Sequence, residues 1–330
     1  MEIKIKWGIL GTAWIATDFV IPAMLKSRYA ELTSIASRSK QKAEDIAKHF
    51  NISKHYGAYQ DLLDDTSIDA VYIPLPNHLH VDWAIKALRA GKHVLVEKPI
   101  ALSSVEAKKL MDEAKKHPRL KIMEAFMYKY HPQWIKAKKL IDSGEIGTLK
   151  TIQSSFSFFD DNPGSIVNQK KLGGGSLMDI GCYPISISRF LFGVEPKSVS
   201  ATIEYHPDFK VDVLVNGILE FEQGTCTFFS AIQLMEDQNV KIYGTEGYIE
   251  IEIPFNPKAD KPAKIWLVKE EFQKEIAFEI CDQYSLQTDV FSLAILEGRE
   301  VPTDLNDAVN NMIVIEKLIE SDRLGKHIKM

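Results

Sequence analysis

Three side chains in this sequence have types and settings suited to proton transfer beside an oxidisable carbon: Lys98 in KHVLVEKPI, and Asp179 and Tyr183 in KLGGGSLMDIGCYPI. Lys98 ends a short apolar run. In open parallel sheets, ligands bind in the crevice outside such strand ends, so the amine is delivered to a pocket mouth. Pro99 restricts the Lys98 backbone to extended or turn conformations and admits a cis peptide. In the second stretch, glycines 173 to 175 let the chain pass close to a ligand. The helix predicted from about Ser176 to Leu191 sets Asp179 and Tyr183 four residues apart on one face. An acid and a phenol so placed suit the oxidation of an alcohol, where one group takes the hydroxyl proton as hydride leaves carbon and its neighbours tune its pKa. Taken singly, each residue has a plainer role, as a solvated lysine, a helix cap or a packed ring. Their co-occurrence is what points to chemistry.

The elements that must position these groups follow from periodicity. From Met1 to about Ile122, short β-rich runs alternate with longer helical ones, which predicts βαβ units and a parallel sheet. Strands are expected at Ile3 to Leu10, Glu31 to Ser37, Ala70 to Ile73, Val94 to Glu97 and Leu120 to Ala125. Helical spacing covers Ile15 to Lys26, Ser39 to Phe50, His80 to Ala90 and Ser103 to Lys116, with Glu106 placed to help cap the last. The first turn, GILGTAWIA, sets Gly8, Gly11, Ala13 and Ala16 in dinucleotide-fingerprint spacing, so the turn residues Gly11, Thr12, Ala13, Trp14 and Ile15 are candidate cofactor contacts. Ala13 departs from the strict glycine. The second strand ends at Ser37 and Arg38 without an acidic residue for a ribose hydroxyl; a guanidinium beside hydroxyls would instead bind a ribose phosphate, which favours NADP with NAD as the alternative. After the next strand, the turn carrying Pro74, Leu75, Asn77 and His80 would run along the nicotinamide end, with Glu97 and Lys98 beside it.

Between Leu149 and Ile280, long β-rich runs such as TIQSSFSFF, VDVLVNGILEFEQG and TCTFFSAIQLM are joined by turns, and a helix from about Leu305 to Ser321 closes the chain. This predicts a second α+β domain with a mostly antiparallel sheet. The expected division is residues 1–122 and 123–330. Phe156, Phe158, Phe159, Phe228 and Phe229 supply core packing or, in a sharper reading, a sheet face that pairs with another subunit. With 330 residues, a net charge of -5 and 45% hydrophobic content, the chain reads as globular without a basic footprint for nucleic acid. Three cysteines without paired spacing fit a reducing cytoplasm and imply no metal site. No apolar run approaches the roughly 20 residues of a membrane span.

GILGTAWIA, the EKP at 97 to 99 and GGGSLMDIGCY at 173 to 183 resemble the glucose-fructose oxidoreductase, inositol dehydrogenase and rhizopine-catabolism family (Gfo/Idh/MocA) over essentially the whole chain. With EAFMYKYHPQ at 124 to 133, the sequence is most similar to the branch of dimeric dihydrodiol dehydrogenases and NADP-dependent xylose dehydrogenases. That resemblance implies an N-terminal Rossmann domain with a doubly wound parallel sheet, and a C-terminal α/β domain with a large open, mostly antiparallel sheet. It also implies a cis Lys98–Pro99 peptide and homodimers or homotetramers built through that sheet. The activity implied is hydride transfer between NADP and a secondary alcohol or hemiacetal carbon of a sugar-like or trans-dihydrodiol substrate. On matching positions, Lys98 would contact the nicotinamide ribose and the reactive oxygen, Tyr183 would be the general acid or base, and Asp179 and Tyr128 would contact substrate. Lys129 stands where that branch often has arginine. The family also holds NAD-using glycosidases and non-catalytic NADP-binding regulators, which are the alternatives. Substrate choice is expected to lie in Phe158 to Gln169 and around Tyr284.

Overall fold

The computed structural model describes residues 3–330. The chain separates into two compact units, one running up to Met127 and including Asp282–Val309, the other comprising Tyr128–Cys281 and Asn310–Met330. In the first unit, strands β1 (Ile5–Leu10), β2 (Ala30–Ala36), β3 (Lys54–Tyr56), β4 (Ala70–Ile73), β5 (His93–Val96) and β6 (Ile122–Glu124) form one parallel sheet in the order β3-β2-β1-β4-β5-β6. Its middle is apolar because both faces are covered. Trp7, Ile9, Val71, Ile73, Val94 and Val96 are fully buried. Between the strands run α1 (Ile21–Met24), α2 (Lys40–Phe50), α3 (Tyr59–Asp64), α4 (His80–Arg89) and α5 (Ser104–Ala114). Ser39 and Ser103 cap α2 and α5, and Glu106 reaches back to the Leu102 amide at 3.1 Å.

The sequence reading anticipates five of these six strands. Edge strand β3 is three residues of Lys, His and Tyr, too short and too polar to announce itself.

The second unit is built on a nine-stranded sheet of β7 (Leu149–Phe159), β8 (Ser198–Tyr205), β9 (Asp212–Glu220), β10 (Thr225–Ala231), β11 (Gln233–Gly244), β12 (Tyr248–Ile251), β13 (Lys264–Lys269), β14 (Phe272–Ala277) and β15 (Ile328–Lys329). Their order is β14-β13-β12-β11-β7-β10-β9-β8-β15, and only β7 and β10 pair in parallel. The β-rich run TCTFFSAIQLM divides between two strands. The chain breaks at Ile232 so that β10 and β11 pair with opposite edges of β7. Helices α6 (Pro132–Asp142) and α7 (Cys182–Phe192) accompany the sheet. Phe156 and Phe228 are buried, whereas Phe229 is half-buried and Phe159 is 64% exposed.

After β14 the chain makes a helix with no counterpart in the sequence reading, α8 (Gln283–Leu296), capped by Asp282 on the Tyr284 and Ser285 amides. It belongs to the first unit, so the expected 123–330 segment is not one contiguous body in the structure. Packing gives the reason. Phe291 is fully buried with its ring centroid 5.6 Å from Trp7, the Trp7 indole donates to Ser292 Oγ at 3.0 Å, and Ser27 bonds Asp289. The last helix, α9 (Leu305–Leu324), crosses the division at Val309. Among the described residues no helix is long and apolar enough to cross a membrane, and no three metal-ligating side chains cluster.

Candidate active site

In the first unit the site residues gather at the carboxyl edge of the sheet. Gly11 follows β1 with φ +126, a conformation L side chains rarely adopt, and its amide donates to Ala36 O at 2.9 Å. A Cβ there would sit 3.1 Å from Leu75 Cδ2, so this glycine lets the first turn and the β4 turn close on one another. Gly8 has another purpose. Its missing side chain makes room for Leu62, whose Cδ2 would lie 2.7 Å from a Cβ, so it packs α3 on the sheet rather than approaching a cofactor.

Ala16 to Val20 form a π-helical turn leading into α1, with Ala16 fully buried as close helix–sheet packing requires. Thr12, Ala13 and Ile15 are half-buried, and Trp14 is 66% exposed with its ring 5.0 Å from Phe19. At the end of β2, Ser37 is buried and accepts the Ser39 amide at 3.2 Å. Arg38 is exposed and lies against the Tyr59 phenol, lowering a pKa that burial raises. No carboxylate stands at that strand end, and with Gly11 this fits a dinucleotide bearing a ribose phosphate.

Lys98 is held by its neighbours. The Lys98–Pro99 peptide is cis. The Lys98 amide donates to Glu97 Oε2 at 3.3 Å, Pro99 O is 2.8 Å from His80 Nδ1, and the Ile100 amide donates to Glu124 Oε1 at 2.6 Å. Three consecutive residues are thus tied by three separate side chains. Glu97 in turn accepts the Tyr72 hydroxyl at 2.6 Å. His80, considered for a cofactor contact, is fully buried with Nε2 on Leu75 O at 2.6 Å. Burial lowers its pKa to about 4, against the pull of the two carbonyls and with a further lowering from Lys98. It can act on a cofactor only through the loops it joins. Pro74 is buried and Leu75 is 7% exposed, while Asn77 is half-buried.

One neighbour of Lys98 has no motif around it. Tyr284, at the start of α8, is 9% exposed with its ring 5.5 Å from Phe19. Burial raises its phenol pKa, Glu97 raises it further and Lys98 lowers it. The sequence singles out the stretch around Tyr284 for substrate choice, and the return of α8 to this unit adds its proximity to Lys98.

In the second unit, Asp179 and Tyr183 lie on one continuous run of helix, a π-helical turn at Leu177–Gly181 followed by α7. Such turns recur at functional sites because they shift side-chain register within an otherwise regular helix. Asp179 is half-buried and Tyr183 is 4% exposed. The Tyr183 ring is walled by Tyr128, Phe156 and Phe255 at centroid distances of 5.9, 5.6 and 5.2 Å. Tyr128, expected to touch substrate, is instead fully buried, with its hydroxyl donating to Ser186 Oγ at 2.8 Å. It shapes the wall behind Tyr183. The glycine triad also differs from expectation. A Cβ on Gly174 would lie 2.6 Å from Ile166 O, and one on Gly175, whose φ is +118, would strike Asp212 Oδ1. Gly173, at φ +84, ends a short 3-10 turn. Gly174 and Gly175 thus admit other parts of the protein itself, and Gly173 supplies a left-handed turn end.

Two family profiles cover most of this geometry: an oxidoreductase family with an NAD-binding Rossmann fold matches residues 5–126, and its C-terminal domain matches 134–250. An uncharacterised oxidoreductase of Rhizobium meliloti is 41% identical over 97% of this chain and 98% of its own length. The chain belongs to the Gfo/Idh/MocA oxidoreductase family. A second member, the NADP-dependent D-xylose 1-dehydrogenase 2 of Haloferax volcanii, is 36% identical over 98% of this chain and 99% of its own. Among solved Gfo/Idh/MocA-like structures, a 3-ketoreductase from Actinomadura kijaniata in complex with NADP and TDP-benzene superposes with TM-score 0.90 and 29% identity, covering 96% of this chain and 98% of that one.

Proposed function

We propose that this family member is an NADP-dependent oxidoreductase acting on a secondary alcohol or hemiacetal carbon of a sugar-like substrate, with Tyr183 as the proton-exchanging group and Lys98 as its cationic partner. The observation that carries the proposal is the binding of residues 98, 99 and 100 by Glu97, His80 and Glu124, which fixes the backbone beneath the Lys98 amine at the sheet edge. NADP, when bound, supplies or accepts the hydride; Gly11, Thr12, Ala13, Trp14 and Ile15 would hold its pyrophosphate end, Ser37 and Arg38 its ribose phosphate, and Pro74, Leu75, Asn77 and Glu97 its nicotinamide side. Lys98 would depress the phenol pKa from about 10 toward working pH, an opposite charge within reach being worth roughly 1 to 3 units. Asp179 would orient the sugar. Support from relatives lies in the NADP-dependent xylose dehydrogenase and the NADP-bound 3-ketoreductase.

The test follows NADP reduction by absorbance with D-xylose, other aldoses and aromatic trans-diols, and NADPH oxidation with TDP-linked keto sugars. Lys98→Met and Tyr183→Phe should each lower turnover by about a hundredfold or more with NADP affinity largely kept. Near-normal turnover in either variant removes the assignment. Glycoside hydrolysis without net cofactor reduction would favour the glycosidase alternative, and cofactor binding without any turnover would favour a regulator. We also propose that the protein is a cytoplasmic homodimer or homotetramer whose subunits meet through the open face of the nine-stranded sheet. There a shallow groove of about 730 Å³ is lined by Asn216, Ile218, Thr227 and Phe229 among others. Ile218→Arg should then lower the mass measured by light scattering to that of a single chain, and an unchanged mass would locate the contact elsewhere.

A further inference from the structure

The helical run that carries Asp179 and Tyr183 is capped from outside its own sequence. Ser176, immediately before it, gives its hydroxyl to Ser230 Oγ at 2.9 Å and makes no cap bond. The Leu177 amide instead donates to Asp212 Oδ2 at 2.6 Å, a carboxylate supplied by the first residue of β9. Two glycine constraints meet at the same place. The Gly175 amide bonds Val167 O at 2.8 Å, and its carbonyl accepts the Asp179 amide at 3.0 Å. Its α-carbon faces Asp212 so closely that any side chain would strike Oδ1. A single carboxylate thus joins the sheet, the glycine turn and the first turn of the helix. Burial raises the pKa of Asp212, and the hydrogen bond from the Leu177 amide offsets only part of that rise.

We propose that Asp212 is a positioning residue for the reaction, setting the first turn of the Asp179 and Tyr183 helix against the sheet through the Leu177 amide. The inference rests on the reading above that Tyr183 moves the proton. Asp212 touches neither reactant and acts by fixing where the helix begins. Asparagine can still accept from the Leu177 amide, whereas alanine cannot, and a charged acceptor holds that bond more strongly than a neutral one.

The experiment compares the full-length parent with Asp212→Ala and Asp212→Asn, in the presence of NADP. It reads kcat and KM with the sugar that responds best in the substrate screen, and hydrogen exchange of the 172–183 segment. In Asp212→Ala, kcat should fall by about tenfold or more with KM for NADP changed less than about twofold, and the segment should exchange faster. Asp212→Asn should recover most of kcat and, because it removes a buried charge, should melt no lower than the parent. Equal kcat in parent and Asp212→Ala, or unaltered exchange of the segment, overturns the proposal. If no sugar is turned over by the parent, the functional reading has failed while the exchange measurement still decides whether Asp212 anchors the helix.

Discussion

Lys98 and Tyr183 are held by opposite means. Around Lys98 the fixing contacts are hydrogen bonds between consecutive backbone groups and the side chains of Glu97, His80 and Glu124, the two carboxylates accepting from the Lys98 and Ile100 amides. Around Tyr183 they are aromatic faces, with Phe255 stacked on Phe156 at 4.7 Å and both rings against the phenol. A lysine must keep its amine at a wet pocket mouth, so only its backbone can be secured, and polar groups do that directionally. A tyrosine ring is itself packable. The consequence is a difference in fragility: the first arrangement is sensitive to charge and pH, the second to volume.

The largest expected effect tests the packed side. Phe255 is fully buried and faces Tyr183, Tyr128, Trp134 and Phe156. Phe255→Ala should cost about 3–5 kcal/mol of stability, as large-to-small changes in aromatic cores do, while Phe255→Leu costs less. Urea titration measures the loss. Within the folded fraction, turnover should fall while NADP affinity, a property of the other unit, stays within about twofold. Weakened NADP affinity would break the proposed division of labour.

Acid should attack the polar side. Burial lowers His80 and His93 to about 4 in the first unit, and His131 to about 4 in the second. Each binds a proton more readily when unfolded, near 6.5, than when folded. Stability is therefore fully present above about pH 6.5 and is lost as pH falls toward 4. For fully buried His80 the loss is on the order of 3 kcal/mol across that window. Hydrogen exchange at stepped pH should show the β5 and α4 region opening before the β7 core. Simultaneous opening of both would show that the two units share one acid response.

How much of this was legible in sequence depends on how local each signal is. The parallel sheet, the helix start near Ser103 and the EKP segment announced themselves because each signal is written in short runs of neighbouring residues. The glycine triad at 173 to 175 was visible but its purpose was not. Asp212 and the 166–167 carbonyls, which it accommodates, lie outside the motif. Gly8 passed for a cofactor glycine for the same reason, since Leu62 is remote in sequence. Helix α8 was missed because its buried side carries Gln283, Gln287, Thr288 and Ser292 beside Tyr284 and Phe291, so no apolar stripe marks its period. Tyr284 was singled out for substrate choice, but with the helix its proximity to Glu97 and Lys98 was missed.

Glu124→Ala offers a smaller and more local test of the polar arrangement. It strips the acceptor from the Ile100 amide, and a buried donor left without its partner costs about 1–3 kcal/mol. Turnover should fall with stability, and Glu124→Gln, which can still accept, should restore part of both. Full activity in Glu124→Ala would show that the Lys98 backbone needs only two of its three ties.

The smallest effect is expected at Tyr284, where the two means of fixation meet. Its ring packs beside Phe19 in the manner of the second unit, while its phenol lies in the field of Glu97 and Lys98 like the groups of the first. Burial and Glu97 both raise its pKa, so it stays protonated and can donate a hydrogen bond but cannot serve as a base near neutral pH. Tyr284→Phe keeps the ring and removes the donor, and melting should shift by no more than a few degrees. If the phenol meets a substrate hydroxyl, KM for the sugar should rise by about threefold to tenfold with kcat and KM for NADP nearly constant, the signature of lost binding shared by ground and transition states. A fall in kcat at constant KM would instead place Tyr284 in the proton path and challenge Tyr183. No change in either would make it a packing residue, and the polar arrangement around Lys98 would end at Glu97.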